Sequence, residues 1–300
     1  MSGKESLFRR PEFELTFRGS SLRLGRETKL MAVLNVTPDS FSDGGRFFDP
    51  GRAAAQALRL QAEGAHILDI GGESSRPGSK AVTVREEIRR IRPVLKRLSG
   101  TIQIPISVDT YKYDVAMMAL DEGASIVNDI TALGGRRKFA RLIARYDAGL
   151  VLMHMRGNPA TMQKNTAYKD LFGEIGLRLR EAADLALSCG VRRSNLAVDP
   201  GFGFGKSAGQ NLQLLSSLHY FSKLRLPVLA GLSRKSFIGH LLAPAAGGTV
   251  PGPDGRLYGS LAAAAAALER GVHILRVHEV LPHKHLAVMM DAAMRPESFK

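Results

Sequence analysis

Cysteine is nearly absent from this 300-residue sequence, Cys189 being the only one. A single thiol cannot build a disulfide framework or a thiolate-rich zinc site, and it suits a reducing compartment. Tryptophan is missing altogether and aromatic residues make up 6%, so the stacking platforms of single-strand nucleic-acid binders have little material. No stretch of about 18 apolar residues runs free of charge, and no membrane span is expected. The N-terminus, Met1 to Phe13, is polar and charged, without the apolar centre of a secretory signal. Acidic residues are also in short supply, 28 against 42 basic ones, for a formal charge of +14. The basic residues are scattered, as at Arg9, Arg10, Arg89, Arg90, Arg92, Arg136, Arg137, Arg192 and Arg193. Without a basic block interleaved with aromatics, that charge fits attraction of small anionic substrates better than a nucleic-acid interface. The expectation is a soluble, cytoplasmic chain that partners neither nucleic acid nor membrane.

What is present is a regular alternation of strand and helix signals. Eight short apolar runs occur at 29–35, 66–71, 105–109, 125–129, 150–154, 195–199, 227–232 and 273–278. Each is rich in Val, Ile or Leu without period-2 alternation, as expected of strands buried on both faces of a parallel sheet. Between them lie segments of helical spacing at 52–63, 85–98, 112–122, 136–147, 170–188, 210–222 and 258–269, and a last helix is expected over 284–294. Gly64, Gly123, Gly190 and Gly271 stand where helices turn back toward the next strand. Eight strand–helix units in this length predict an α/β fold of the (β/α)8 TIM-barrel type, with a doubly wound open sheet as the alternative. The segment 13–24, centred on Gly19 and Ser20, reads as an N-terminal β-hairpin able to plug the barrel bottom. Residues 1–12 are expected to form a flexible tail and 13–300 a single barrel domain.

The polar residues that interrupt the apolar runs fall at their C-terminal ends: Asn35, Asp69, Asp109, Asn128 with Asp129, His154, Asp199, Ser233-Arg234-Lys235, then Arg276 and His278. In a parallel barrel these ends converge on one rim, where barrel enzymes place their sites. Any one of them could cap a strand; nearly all of them together predict a site. Asp109, Asn128 and Asp199 offer carboxylate and amide groups to a ligand rich in N–H donors, such as an aminopyrimidinone ring. Lys235, Arg276 and His278, with Arg76 on a loop, offer positive charge to a phosphate. Asn35 is followed by Thr37, Asp39, Ser40, Ser42 and Asp43, oxygen-bearing side chains suited to a hard cation such as magnesium.

The run from Gly201 to Ser207 looks like a phosphate loop but has three residues before its Gly-Lys pair where a Walker A motif needs four. Its position after Asp199 makes it a substrate-contacting loop. Gly44-Gly45, Gly71-Gly72 and Pro77-Gly78 mark further mobile loops over the same rim. His283 and His285 read as a solvated helix start in preference to a metal site, and Arg89, Arg90 and Arg92 as a solvated helix face.

Several of these runs resemble the dihydropteroate synthase family. Leu34-Asn35-Val36-Thr37-Pro38-Asp39-Ser40-Phe41-Ser42-Asp43-Gly44-Gly45 resembles its first motif, and Asp69-Ile70-Gly71-Gly72-Glu73-Ser74-Ser75-Arg76-Pro77-Gly78 its second. Ser107-Val108-Asp109-Thr110, Val127-Asn128-Asp129, His154-Met155-Arg156-Gly157, Asp199 through Lys206, Ser233-Arg234-Lys235-Ser236 and Arg276-Val277-His278 follow in family order.

The resemblance implies a transferase of folate synthesis that joins 6-hydroxymethyl-7,8-dihydropterin pyrophosphate to p-aminobenzoate. Carried over by motif, Asp109, Asn128 and Asp199 hold the pterin, with Lys235 at the ring and Met155 on its face. Arg276 and His278, with Asn35 and Mg2+, bind the pyrophosphate, and Ser236 joins the substrate-binding set. Ser75, Arg76 and Pro77, with Phe204 and Lys206, shape the p-aminobenzoate pocket. Lys235, Arg276, His278 and Asp109 are the expected catalytic residues. Ser75 stands where the family usually has threonine; the hydroxyl is kept and a methyl lost. The resemblance also implies a homodimer built through late helices. Two other functions compete: a pterin-binding barrel that transfers a methyl group from methyltetrahydrofolate to a corrinoid protein, and a basic nucleic-acid or anion-binding protein without catalysis. The first has no need of a pyrophosphate cluster.

Overall fold

The computed structural model describes residues 10–37, 49–76 and 78–298. It opens with a hairpin of β1 (Phe13–Phe17) and β2 (Ser20–Leu24). Arg18 and Gly19 at its turn both have positive φ, 48° and 76°, the backbone twist that suits a two-residue hairpin loop. Strands and helices then alternate as β3 (Lys29–Asn35), α1 (Pro50–Ala62), β4 (Ile67–Gly71), α2 (Val84–Leu98), β5 (Ile106–Asp109), α3 (Tyr113–Asp121), β6 (Ile126–Asp129) and α4 (Arg137–Arg145). The second half runs β7 (Gly149–Met153), α5 (Leu171–Ser188), β8 (Leu196–Asp199), α6 (Ala208–Ser216), β9 (Leu229–Ala230), α7 (Ser236–Leu242), α8 (Leu257–Glu269), β10 (Ile274–Val277) and α9 (Val280–Met294).

The sheet is parallel in the order β8-β7-β6-β5-β4-β3-β10-β9. A parallel bridge between Val198 and Val228 joins its two ends, and the Val198 N–H donates to the Pro227 carbonyl at 2.9 Å. The sheet is thereby closed into the expected (β/α)8 barrel.

Strand parity divides each strand between two cores. Leu30, Ala32, Leu68, Val108, Val127, Leu150, Leu152 and Val198 point outward and pack under the helices. Met31, Ile67, Ile126, Val151, Ala197, Leu229 and Ile274 point inward and form an apolar layer at the N-terminal end of the barrel. Leu15, Phe17 and Leu24 of the hairpin belong to that same cluster, so the hairpin is the plug the sequence predicts. Arg18 fixes it there, its N–H donating to Asp147 O at 2.7 Å and its guanidinium to Leu120 O and Ala124 O.

Three details differ from the sequence reading. The expected tail is docked by its end: Arg10 is buried, donates to Thr28 Oγ1 and Val272 O, and pairs with Asp291, while the His273 ring contacts the Pro11 carbonyl. Residues 1–9 lie outside the described residues. The helix expected over 210–222 ends at Ser216 and continues as a 3-10 turn, Leu218–Leu224; Ser216 Oγ donates back to the Gln213 carbonyl, a side-chain bond that competes with the helix. Seven-residue α7 was missed, being too short to show a period. Among the described residues, no helix is long and apolar enough to cross a membrane.

Candidate active site

Two residues beyond the apolar layer, the same inward parity places Val33, Asp69, Ser107, Asn128, Met153, Asp199, Gly231 and Arg276 around the barrel axis, with Asn35, Asp109 and His278 above them. The motif residues read from the sequence thus reach one place from six of the eight strands, with Lys235 following a seventh. Asp109, Asn128, Asp199, Phe204, Lys235 and Arg276 line an inner chamber with only about 10 Å³ free. Outside it opens a mouth of about 520 Å³, to which Asn35, Ser75, Arg76, Ser236 and His278 contribute, and which shares Phe204, Lys235 and Arg276 with the chamber.

Arg276 crosses the chamber. Its Nε donates to Asp69 Oδ2 at 2.6 Å and its Nη2 to Asp109 Oδ2 at 2.7 Å. Burial lowers the pKa of such a guanidinium, but Asp69 and Asp109 together raise it above its ordinary value. Asn128 Nδ2 donates to the same Asp69 oxygen at 3.2 Å. Asp69 Oδ1, Asn128 Oδ1 and Ser107 Oγ are buried without a protein partner. Buried polar atoms without partners are costly unless a ligand or water satisfies them; Asn128, with Asp109 and Asp199, lines the chamber and offers acceptor oxygens to a donor-rich guest. Burial pushes the Asp109 carboxyl up to about 7 against the pull of Arg276, and it raises Asp199 also, although Asp199 Oδ1 accepts from the Gly201 N–H at 2.7 Å.

Lys235 precedes α7 and lies 4.2 Å from the centroid of the Phe204 ring. Burial lowers its ammonium to about 8, with Asp199 opposing. Arg234 beside it takes a left-handed φ of 62°, a strained setting for a non-glycine residue. That turn is held on three sides: Arg234 N–H donates to Ser260 Oγ, Arg256 Nη1 donates to Arg234 O, and Arg234 Nε donates to Glu279 Oε1 at 2.6 Å.

The loop after β8 is packed against the chain at His154. A Cβ on Gly201, whose φ is +72°, would sit 1.9 Å from the His154 carbonyl oxygen, so only glycine fits. Lys206, expected at the p-aminobenzoate pocket, lies at the base of this loop. Its ammonium lines neither cavity; buried, it bonds Gly201 O, Phe204 O and His154 Nδ1 at 2.9–3.1 Å and holds the loop together. Met155 also stands back, packing with Ile130, Met153, Met162 and Phe204, while Met153 and Met162 reach the cavity walls. β7 ends at Met153, so Met155 lies beyond the strand's alternation.

The second motif forms the loop between β4 and α2. Lys112 gathers its base: Nζ donates to Glu73 Oε2 and Glu87 Oε2, both at 2.5 Å, and to Val82 O at 2.7 Å, while Tyr111 OH donates to Glu73 Oε1. Ser74, Ser75 and Arg76 are thereby presented to the mouth. Pro77 lies outside the described residues, as do Asp39, Ser40, Ser42 and Asp43. Among the described residues no cluster of three His, Cys, Asp or Glu side chains could hold a metal. His283, expected in solvent, is buried and bonds back to the Glu279 carbonyl; His285 is exposed.

This geometry can be set beside known proteins. A model of pterin-binding enzymes matches residues 31–278. The dihydropteroate synthase of Synechocystis sp. is 42% identical over 271 residues, covering 90% of this chain and 92% of the relative. The chain belongs to the dihydropteroate synthase family. Among solved dihydropteroate synthases, the Xanthomonas albilineans enzyme with 4-aminobenzoic acid is 40% identical with a TM-score of 0.85, covering 94% of this chain and 98% of that one. The enzyme of the same organism in complex with 7,8-dihydropteroate is 38% identical with a TM-score of 0.79, over the same shares. In this dihydropteroate synthase relative, Asn35, Ser75, Arg76, Asp109, Asn128, Asp199, Lys235, Arg276 and His278 all line the chamber or its mouth.

Proposed function

We infer that this protein condenses (7,8-dihydropterin-6-yl)methyl diphosphate with p-aminobenzoate, giving 7,8-dihydropteroate and pyrophosphate. The observation that carries this reading is the junction of two unlike compartments. An acidic and amide chamber opens directly into a mouth walled by Arg76, Arg234, Lys235, Arg256, Arg276 and His278. A bicyclic head rich in N–H donors suits the first and a diphosphate the second. A methyl-transferring barrel would have no use for the second, nor would a general anion binder for the first.

The pterin's own N–H groups replace the guanidinium at Asp109, and Asn128 and Asp199 hold the rest of its polar edge. Entry requires Arg276 to leave the chamber, which carries its charge outward to the diphosphate. The bond between the pterin methylene and the diphosphate oxygen breaks with its electron pair on oxygen. Lys235 and the relocated Arg276 bring positive charge to that oxygen, with His278 beside them, and charge held in a water-poor site is the largest lever available. The arylamine nitrogen forms the new C–N bond and loses a proton; Ser75, Arg76, Phe204 and Ser236 orient it. Asn35 lines the mouth and carries one amide oxygen, a sparse donor set that would fit a magnesium ion carrying phosphate oxygens and water as its other ligands. When bound, that ion neutralises charge on the diphosphate.

The same reading keeps 13–300 as one cytoplasmic domain and extends to a homodimer. Leu281, Val288 and Met289 share one exposed stripe of α9, and Tyr258 on neighbouring α8 is 83% exposed; light scattering reports the mass directly. The reaction is tested by following pyrophosphate release from the pterin diphosphate. It should require p-aminobenzoate; release indifferent to the arylamine, or methyl transfer in its place, would reject the assignment.

A further inference from the structure

His278 follows β10 and its ring lines the mouth. Its Nδ1 lies 3.0 Å from Ser233 Oγ, and its backbone N–H meets the same oxygen at 3.3 Å. Ser233 Oγ lies 3.2 Å from Glu279 Oε2, and the other oxygen of that carboxylate is taken by Arg234. A serine hydroxyl has one proton, and a carboxylate only accepts. The proton therefore points to Glu279, and both contacts from His278 must be donated to the serine oxygen. Arg276, Arg234, Lys235, Arg76 and Glu279 are the charged groups facing the ring; burial and then the four cations depress its pKa to about 3. A neutral ring that donates from Nδ1 has a bare Nε2, and no described residue hydrogen-bonds Nε2.

We propose that Ser233 and Glu279 are positioning residues for His278, holding it as the Nδ1–H tautomer with Nε2 open to the mouth as a proton acceptor. The chemistry inverts the simplest expectation for a histidine among phosphate-binding cations. Phosphate oxygen and bare imidazole nitrogen are both acceptors, so they can meet only with a proton between them. A fully ionised diphosphate then draws that proton from solvent, whereas a protonated one brings it, and affinity for the fully ionised form rises as pH falls. This consequence rests on the diphosphate reading above; the tautomer does not.

The first test is nitrogen-15 NMR of histidine-labelled protein, with the His278 signals assigned by their loss in His278→Gln. The free protein should show a protonated Nδ1 and an unprotonated Nε2, and Ser233→Ala should shift His278 toward the opposite tautomer. An Nε2–H signal in the unaltered protein, or no change in Ser233→Ala, overturns the proposal. The second test is titration calorimetry with inorganic pyrophosphate, at a pH where that ligand is fully ionised, in two buffers of different ionisation enthalpy. Proton uptake should exceed that of His278→Gln by up to about one proton per site; equal uptake with binding retained counts against the proposal. Absence of pyrophosphate binding would strike the functional reading, and the NMR would still decide the tautomer.

Discussion

The two ends of the barrel are built from the same strands, two residues apart, and differ completely in what they bury. At the N-terminal end Ile67, Ile126, Ala197, Leu229 and Ile274 meet the hairpin in a layer without a charge. At the C-terminal end Asp69, Asn128, Asp199, Gly231 and Arg276 occupy the next inward positions of the same strands. The lower layer gains stability by leaving water. The upper one is held out of water against the desolvation cost of its charges, with three polar atoms left unpaired. A protein can sustain that second layer because the first lies directly beneath it.

The comparison makes a sharp demand on single substitutions. Removing charge from the upper layer should strike turnover hardest. Arg276→Ala and Lys235→Ala should each lower kcat/KM by about 100-fold or more, as loss of a preorganised charge partner does; near-normal rates in both would reject the roles given them. Removing bulk from the lower layer should do the reverse. Ile126→Ala opens a cavity in a fully buried site and should cost about 2–5 kcal/mol of stability in denaturant titration, while kcat per folded molecule stays close to that of the unaltered protein. If the rate of Ile126→Ala collapsed while stability held, the division between the layers would be wrong.

The lower layer was far easier to read from the sequence than the upper. Apolar runs locate strands because burial on two faces leaves no freedom in residue type, and all eight runs are strands within a few residues. Strand ends were legible as a rim for the same reason: Asp109 or Arg276 stands out against Val and Ile. Contacts between loops leave no period. Lys112 gathering Glu73, Val82 and Glu87, and Glu279 joining Arg234 to Ser233, bring together residues whose separations carry no pattern. The bonding of Lys206 was equally illegible: the resemblance put it at the p-aminobenzoate pocket, and nothing in the spacing shows that the loop folds its own carbonyls around the ammonium.

The smallest effect sharpens the comparison within the upper layer, where burial acts on opposite charges in opposite directions. The pH profile of kcat/KM reports groups of the free enzyme. Asp109, raised to about 7 by burial, must be ionised to receive the pterin, so the rate should fall below that pH. Lys235, lowered to about 8 by burial, must keep its proton to meet the leaving group, so the rate should fall above that pH, tenfold per unit. The result is a narrow bell. Lys235→Arg places a cation that does not lose its proton in this range, and its alkaline limb should flatten even if its absolute rate is lower. Lys206 is the rival source of that limb, its ammonium brought down to about 7 by burial. An alkaline limb that survives in Lys235→Arg would assign the titration to Lys206, and with it make the integrity of the glycine loop, instead of charge at the diphosphate, the property that pH controls.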